Sequence, residues 1–320
     1  MLHQRRFRAM NTDVGVWLWS TSPDRAAVAR ALDWAEAFFA HVEDELSRFR
    51  ASSALSRLNQ AAGSGAQTVS PLLWTVLTAG LQAANDSGGI YDPTLLRALE
   101  QLGYDRSFET MHGRSEAGDG TPGPTLGSWR RVRLDSERRT VSLPADLALD
   151  FGGIAKGWTV DRVALELAPL GPVLVDAGGD LRAVGAIEGE PWPIAVQDAL
   201  TPERDSAVIR LHDAALATSS IGGRRWQRGD RTLHHLIDPR TGTSAASDLH
   251  AVTVRAPGAM AADVAAKVVL VMGSAAGPAY LQDRGYAGLL TCLDGRALTV
   301  GDLWQEEGEH HATNQRHSRG

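Results

Sequence analysis

Apolar residues at Val28, Leu32, Ala35, Phe39 and Val42 recur every three or four positions, the spacing of one helical face. Ser22, Pro23 and Asp24 supply a cap, a first-turn proline and an acid beside the positive helix end. A helix is therefore predicted from there to about Leu46, with Ser47, Arg48 and Phe49 at its exit. Ser70 and Pro71 repeat the start signal, and Gly88 and Gly89 stop that second helix. Short strands follow in WRRVRLD and TVSL, and then a glycine-containing turn in DFGGIAKG opens a helix with Val160, Val163, Ala164 and Leu167 inward. More strands lie in PVLVDAGG, DLRAVG, WPIAVQDA, SAVIRLHDAALATSS and HAVTVRAP. A helix from about Met260 to Met272, another helix and paired strands to Leu303 complete the pattern. Strands and helices that do not strictly alternate indicate an α+β fold of mixed sheets with packed helices.

Residues 106–128 have no periodicity and are rich in Gly, Ser, Pro and charge. They read as a mobile excursion without function and as a seam in what is otherwise one domain over residues 1–305. Residues 306–320 read as a flexible tail, and their histidines belong to it rather than to a metal site.

Composition narrows the field. With 320 residues, 43% hydrophobic and 22% charged, the chain can bury a sizeable core. A net charge of −6 argues against nucleic acid as a partner, because counterion release needs a basic surface. The cluster Arg224, Arg225 and Arg228 is short and reads as a solvated face. No run of about 18 uncharged apolar residues occurs, so no membrane insertion is expected. No apolar stretch of signal-peptide type follows the basic start, and Cys292 is the only cysteine, in an apolar run. A cytoplasmic chain with a buried, inert thiol is expected.

Two glycine-rich stretches could carry chemistry. DAGGDLRAVG, residues 176–185, lacks the full dinucleotide-binding spacing and runs into a strand rather than a helix. Gly178 and Gly179 are better placed in a hairpin turn. DFGGIAKG, residues 150–157, brings Asp150, Gly153 and Lys156 to a helix start, where exposed amides favour an anion. In HHLIDPRTG, His235 ends a strand and Asp238 either joins it through a turn or simply caps that turn. In AMAADVAAKVVLVMG, Asp263 interrupts an apolar helix with Lys267 one turn later.

Taken together, from about Phe7 to about Trp304, these segments resemble the FAD:protein FMN transferase family, also called ApbE. The resemblance is carried by Met10-Asn11-Thr12, Ser47 to Phe49, Ser53 to Asn59, GGIYDPT, DFGGIAKGWTVDRV, LVDAGGD, ATSS, HLIDPRTG and AADVAAKVVLVMG, all in the family's order. It implies a flavin site in a cleft between two lobes. Met10, Phe49, Ile90, Tyr91, Asp92, Asp150, Lys156 and His235 match positions that contact FAD in the family. Gly153 and Asp263 match its Mg²⁺ ligands, by backbone carbonyl and by carboxylate. Asp263, His235 and Lys156 match the positions expected to carry catalysis. The implied reaction attaches FMN to a Thr or Ser hydroxyl of a partner protein, within a Ser/Asp-Gly-Ala/Ser-Thr-Ala/Gly sequence, and releases AMP. FAD is then a noncovalently held substrate. A flavin-binding protein with lapsed catalysis and an FAD pyrophosphatase are the alternatives. Two positions depart from the pattern: Asn11 replaces a glycine, and Lys267 replaces a threonine that helps hold the metal. Lys267 can pair with Asp263, compete with a metal, or contact a phosphate in its stead.

Overall fold

The structure, a computed structural model, describes residues 1–111, 122–201 and 203–303. The tail at 306–320 and the middle of the 106–128 seam lie outside the described residues.

Helix α1 (Arg25–Leu46) buries the predicted face of Val28, Leu32, Ala35, Phe39 and Val42. Its cap is Asp24 and not Ser22: the Asp24 carboxylate accepts the Ala27 N–H at 2.8 Å, while the Ser22 hydroxyl accepts the Asp24 N–H. The helix starts later than expected because a carboxylate is the stronger acceptor at a positive helix end. Ser53 caps α2 (Ala54–Gln60), and Ser70 caps α3 (Pro71–Asp86) with Pro71 in the first turn. A short α4 (Leu96–Gln101) follows. In α5 (Ala155–Leu167), Val160, Val163, Ala164 and Leu167 are buried as the spacing predicts.

Eight antiparallel strands form the main sheet, in the order Leu2–Ala9, Thr12–Trp19, Val173–Ala177, Asp180–Val184, Ala214–Ser220, Leu249–Ala256, Ala287–Cys292 and Ala297–Val300. Gly178 and Gly179 make the two-residue hairpin turn, both at positive φ. WRRVRLD yields a strand only at Arg133–Asp135, since Ser128–Arg131 winds into a 3₁₀ turn. That strand joins Thr140–Ser142 and Ala66–Thr68 in a small three-stranded sheet.

Helix α6 (Ala259–Gln282) lies on the strands Ala214–Ser220 and Leu249–Ala256, and α5 lies on the hairpin 173–184. One core fills the space between the main sheet and α1, α5 and α6; a second lies among α2, α3 and the far side of α6. Cys292 is buried in the first, as expected. Among the described helices α6 alone has the length and apolarity of a membrane span, but it breaks at Gly273 (φ 78°), packs on the sheet and carries a charged pair.

The register of α6 is set by α5. Asp161 accepts the Ala259 and Met260 N–H groups at 2.7 and 3.0 Å, capping α6, and pairs with Arg182 at 2.7 Å. Gly157 allows the close approach: a Cβ there would sit 2.7 Å from the Ala259 carbonyl oxygen and 2.8 Å from the Met260 Cα. Both obstacles are backbone, so neither can swing aside. Gly157→Ala is expected to cost about 1–3 kcal/mol in urea unfolding, the range for overpacking a tight contact. An unchanged midpoint would mean the two helices can part freely, and the account of how the site is positioned would fail.

Candidate active site

A cavity of about 200 Å³ opens where the two cores meet, between the end of α1, residues 90–104, the start of α5, residues 235–237 and α6. Met10, Phe49, Ile90, Tyr91, Asp92, Asp150, Gly153, Lys156, His235 and Lys267 line it. The sequence-predicted residues thus converge on one place. Asp263 lies beneath this wall, 1% exposed and bound to Lys267. Asp238 does not take part: it pairs with Arg240 at 2.8 Å and accepts the Arg240 N–H in its own turn.

Local geometry places each side chain. Met10 and Asn11 both take positive φ in the first hairpin turn, so Asn11 holds the left-handed conformation of the glycine it replaces. The Met10 N–H donates to Glu43 at 2.9 Å, tying that turn to α1. Asn59 grips the Leu149 backbone from both sides, at 2.9 and 2.7 Å, and so sets the segment that delivers Asp150. Asp150 then accepts the Gly152 N–H at 3.0 Å. Asp92 accepts both the N–H and the hydroxyl of Thr94.

Charge at the cavity is dense and mostly paired. The Lys156 ammonium rests on Asp180, and the Lys267 ammonium rests on Asp263. Burial alone would lower the Lys156 pKa, but the Asp180 and Asp263 carboxylates turn this into a net rise. Burial pushes the Asp263 carboxyl up, Asp180 adds to this, and Lys267 and Lys156 oppose it. Burial, then the nearby Arg224 and Lys267 charges, hold His235 well below its ordinary value, so its ring is neutral at physiological pH. Its Nδ1 is buried and without a partner. Burial and the carboxylates of Asp150, Asp263 and Asp92 keep the Tyr91 phenol far above its ordinary value, so it remains a neutral donor, its hydroxyl likewise unpartnered.

Three residues of this site were not read as such in the sequence. Arg224 lines the cavity beside His235 and Lys156, correcting the expectation of a solvated face for the basic cluster; Arg225 is exposed as expected. Arg224 was hidden because its neighbours in space come from elements far away in the chain. Arg48 lies against the rings of both Phe49 and Tyr104, 4.2 and 4.5 Å from their centroids, and donates to the Tyr104 carbonyl at 2.9 Å. Asp180, read only as the first residue of the strand after the hairpin turn, is also the buried partner of Lys156.

Residues 10–290 match the family model described as the ApbE family. This chain belongs to the ApbE family. The FAD:protein FMN transferase of Treponema pallidum is 29% identical over 278 residues, covering 78% of this chain and 73% of the relative. That of Vibrio cholerae is 30% identical over 248 residues, covering 74% and 72%. Among solved structures, flavin transferase ApbE from Vibrio cholerae superposes with a TM-score of 0.77 at 26% identity, covering 95% of this chain and 99% of that one. The ApbE protein from Thermotoga maritima matches in fold with a TM-score of 0.80 at 24% identity, covering 96% and 100%. The α+β architecture of this chain is therefore the ApbE fold.

The family implies a magnesium ion held by Gly153 and Asp263, and the side chains present do not fit one as they stand. One Asp263 oxygen is taken by the Lys267 ammonium, and the Lys267 methylenes lie over Gly153, 3.2 Å from where its Cβ would be. An ammonium cannot be a ligand. Among the described residues, no group of three His, Cys, Asp or Glu side chains is placed to hold a metal. Magnesium is commonly held by one or two carboxylates with water and substrate phosphates, but here the Asp263 oxygen that Lys267 leaves free is buried and the lysine covers Gly153.

Proposed function

We propose that this ApbE transferase moves the FMN half of FAD onto a Thr or Ser hydroxyl of a partner protein, with release of AMP. The observation that carries the reading is the composition of one cavity. Its apolar wall, with Leu46, Phe49, Leu99, Tyr104, Ile237 and Val271, suits flat rings, while Lys156, Lys267 and Arg224 suit a diphosphate. The acceptor oxygen attacks the FMN phosphorus, the bond from that phosphorus to the oxygen bridging toward AMP breaks, and AMP leaves with the bridging oxygen. His235, neutral and lining the cavity, is assigned as the group that accepts the hydroxyl proton. Lys156 and Arg224 balance the charge that grows on the leaving phosphate. The Tyr91 hydroxyl, unpartnered and neutral, supplies a donor to the bound nucleotide. The acceptor is proposed to carry a Ser/Asp-Gly-Ala/Ser-Thr-Ala/Gly sequence, and the reaction to run in the cytoplasm.

Mass spectrometry of a peptide with that sequence after incubation with FAD tests the transfer, and the expected product gains one FMN. AMP release without peptide labelling would instead make the chain a pyrophosphatase. Within the same reading, Lys156→Ala is expected to weaken FAD binding by about 1.5–3 kcal/mol, the worth of a charge-assisted hydrogen bond. Calorimetry would register this as a loss of at least tenfold in affinity. An unchanged dissociation constant would remove Lys156 from the diphosphate.

A further inference from the structure

Lys267 is in an unusual position for a lysine. It sits on a buried stretch of α6, its side chain 18% exposed, with its ammonium on Asp263 and its methylenes across Gly153. An added Cβ on Gly153 would touch Tyr91 on one side and Lys267 on the other, so the lysine stem fills the gap between the α5 turn and α6. The same cavity is lined by Lys267, Lys156 and Arg224, and the Lys267 charge is felt by His235. A divalent cation between the Gly153 carbonyl and the Asp263 carboxylate would meet an ammonium already there. It could enter only by displacing that charge from its one buried partner.

From this geometry we propose that Lys267 is a tethered cation that replaces the divalent metal of this site. The chain then binds and cleaves a dinucleotide diphosphate without magnesium. The inference rests on the reading of the cavity as a diphosphate site. Asp263 holds the ammonium in place rather than binding metal, and its second oxygen is buried without a partner. Lys156 is the second cation, released from Asp180 as the diphosphate arrives, and Arg224 the third. Lysine suits this role because its ammonium is a compact point charge on a flexible stem.

Two measurements on the full-length chain test the proposal, one of which needs no flavin. In the first, manganese chloride alone is titrated and free Mn²⁺ is followed by electron paramagnetic resonance. Wild type is expected to leave Mn²⁺ free, and Lys267→Thr to bind one ion per chain. In the second, FAD binding is followed by flavin fluorescence in EDTA and in magnesium. The wild-type dissociation constant should agree within about twofold between the two buffers. Lys267→Thr should bind at least tenfold more weakly in EDTA and recover in magnesium, whereas Lys267→Arg should stay magnesium-independent. Stoichiometric Mn²⁺ binding by wild type, or a tenfold loss of its FAD affinity in EDTA, would overturn the proposal. So would a Lys267→Thr variant that behaves as wild type in EDTA. If Lys267→Thr fails to fold, judged by circular dichroism, the two wild-type measurements still decide. Wild type that binds no FAD in either buffer would overturn the flavin reading instead, and the manganese titration separates that failure from this one.

Discussion

Asp263→Ala is expected to lower the stability of this chain by about 3–5 kcal/mol, the cost of breaking a buried ion pair from one side. The carboxylate is 1% exposed, and its removal strands the Lys267 ammonium beside two further cations, Lys156 and Arg224. The expected loss comes less from the pair's own attraction than from the unpaired charge left behind. The double variant Asp263→Ala/Lys267→Met should therefore recover at least half of it, because a buried pair replaced by apolar groups is often neutral. Urea unfolding of the wild type, both single variants and the double variant forms the cycle. If the two single losses simply add in the double variant, the residues do not act as a pair, and the description of Lys267 as held by Asp263 is wrong.

The pair itself was legible in the sequence, because an aspartate inside an apolar helix demands a cation and the residue four positions on supplies it. The buried faces of α1 and α5, the cap of α3 and the Gly178–Gly179 turn were legible for the same reason: each is decided by neighbours within a few residues. What escaped was decided at long range. LHQRRFRA forms a strand, but at the sheet edge, with its residues alternating between exposed and half-buried, so no apolar alternation marks it. Asp161 stands on α5 among residues that drew no attention in the sequence, and it caps a helix that begins 98 residues later. Arg224 and Arg48 carry charge in stretches where charge usually means solvent, and only the folded chain shows what surrounds them. The cleft that the resemblance placed between two lobes corresponds to the meeting of the two cores. The bare spacing of apolar residues could not locate it, since its walls come from seven separate segments.

Stability should also depend on pH through Asp92. Burial pushes this carboxyl up from 3.8 to about 6, against the Thr94 hydrogen bonds, the Trp129 backbone and Arg130. The folded chain therefore holds the Asp92 proton more tightly than the unfolded chain does. That advantage is fully present below the unfolded value near 3.8 and is lost as pH rises through the folded value near 6. The difference of roughly two pKa units amounts to about 3 kcal/mol, undiminished by solvent because the residue is 5% exposed. Asp92→Asn removes the titration while keeping an oxygen to accept from Thr94. The amide also puts an N–H₂ group where the second carboxylate oxygen now has no partner, but that cost is the same at every pH and cancels in the comparison. Relative to wild type, the variant should gain about 3 kcal/mol between pH 3 and pH 7, with most of the change complete by the upper end of that range. Urea unfolding of both proteins at one-unit pH intervals reads this directly. A gap that stays constant across the range would mean that Asp92 titrates at its ordinary value and that its burial carries no electrostatic cost.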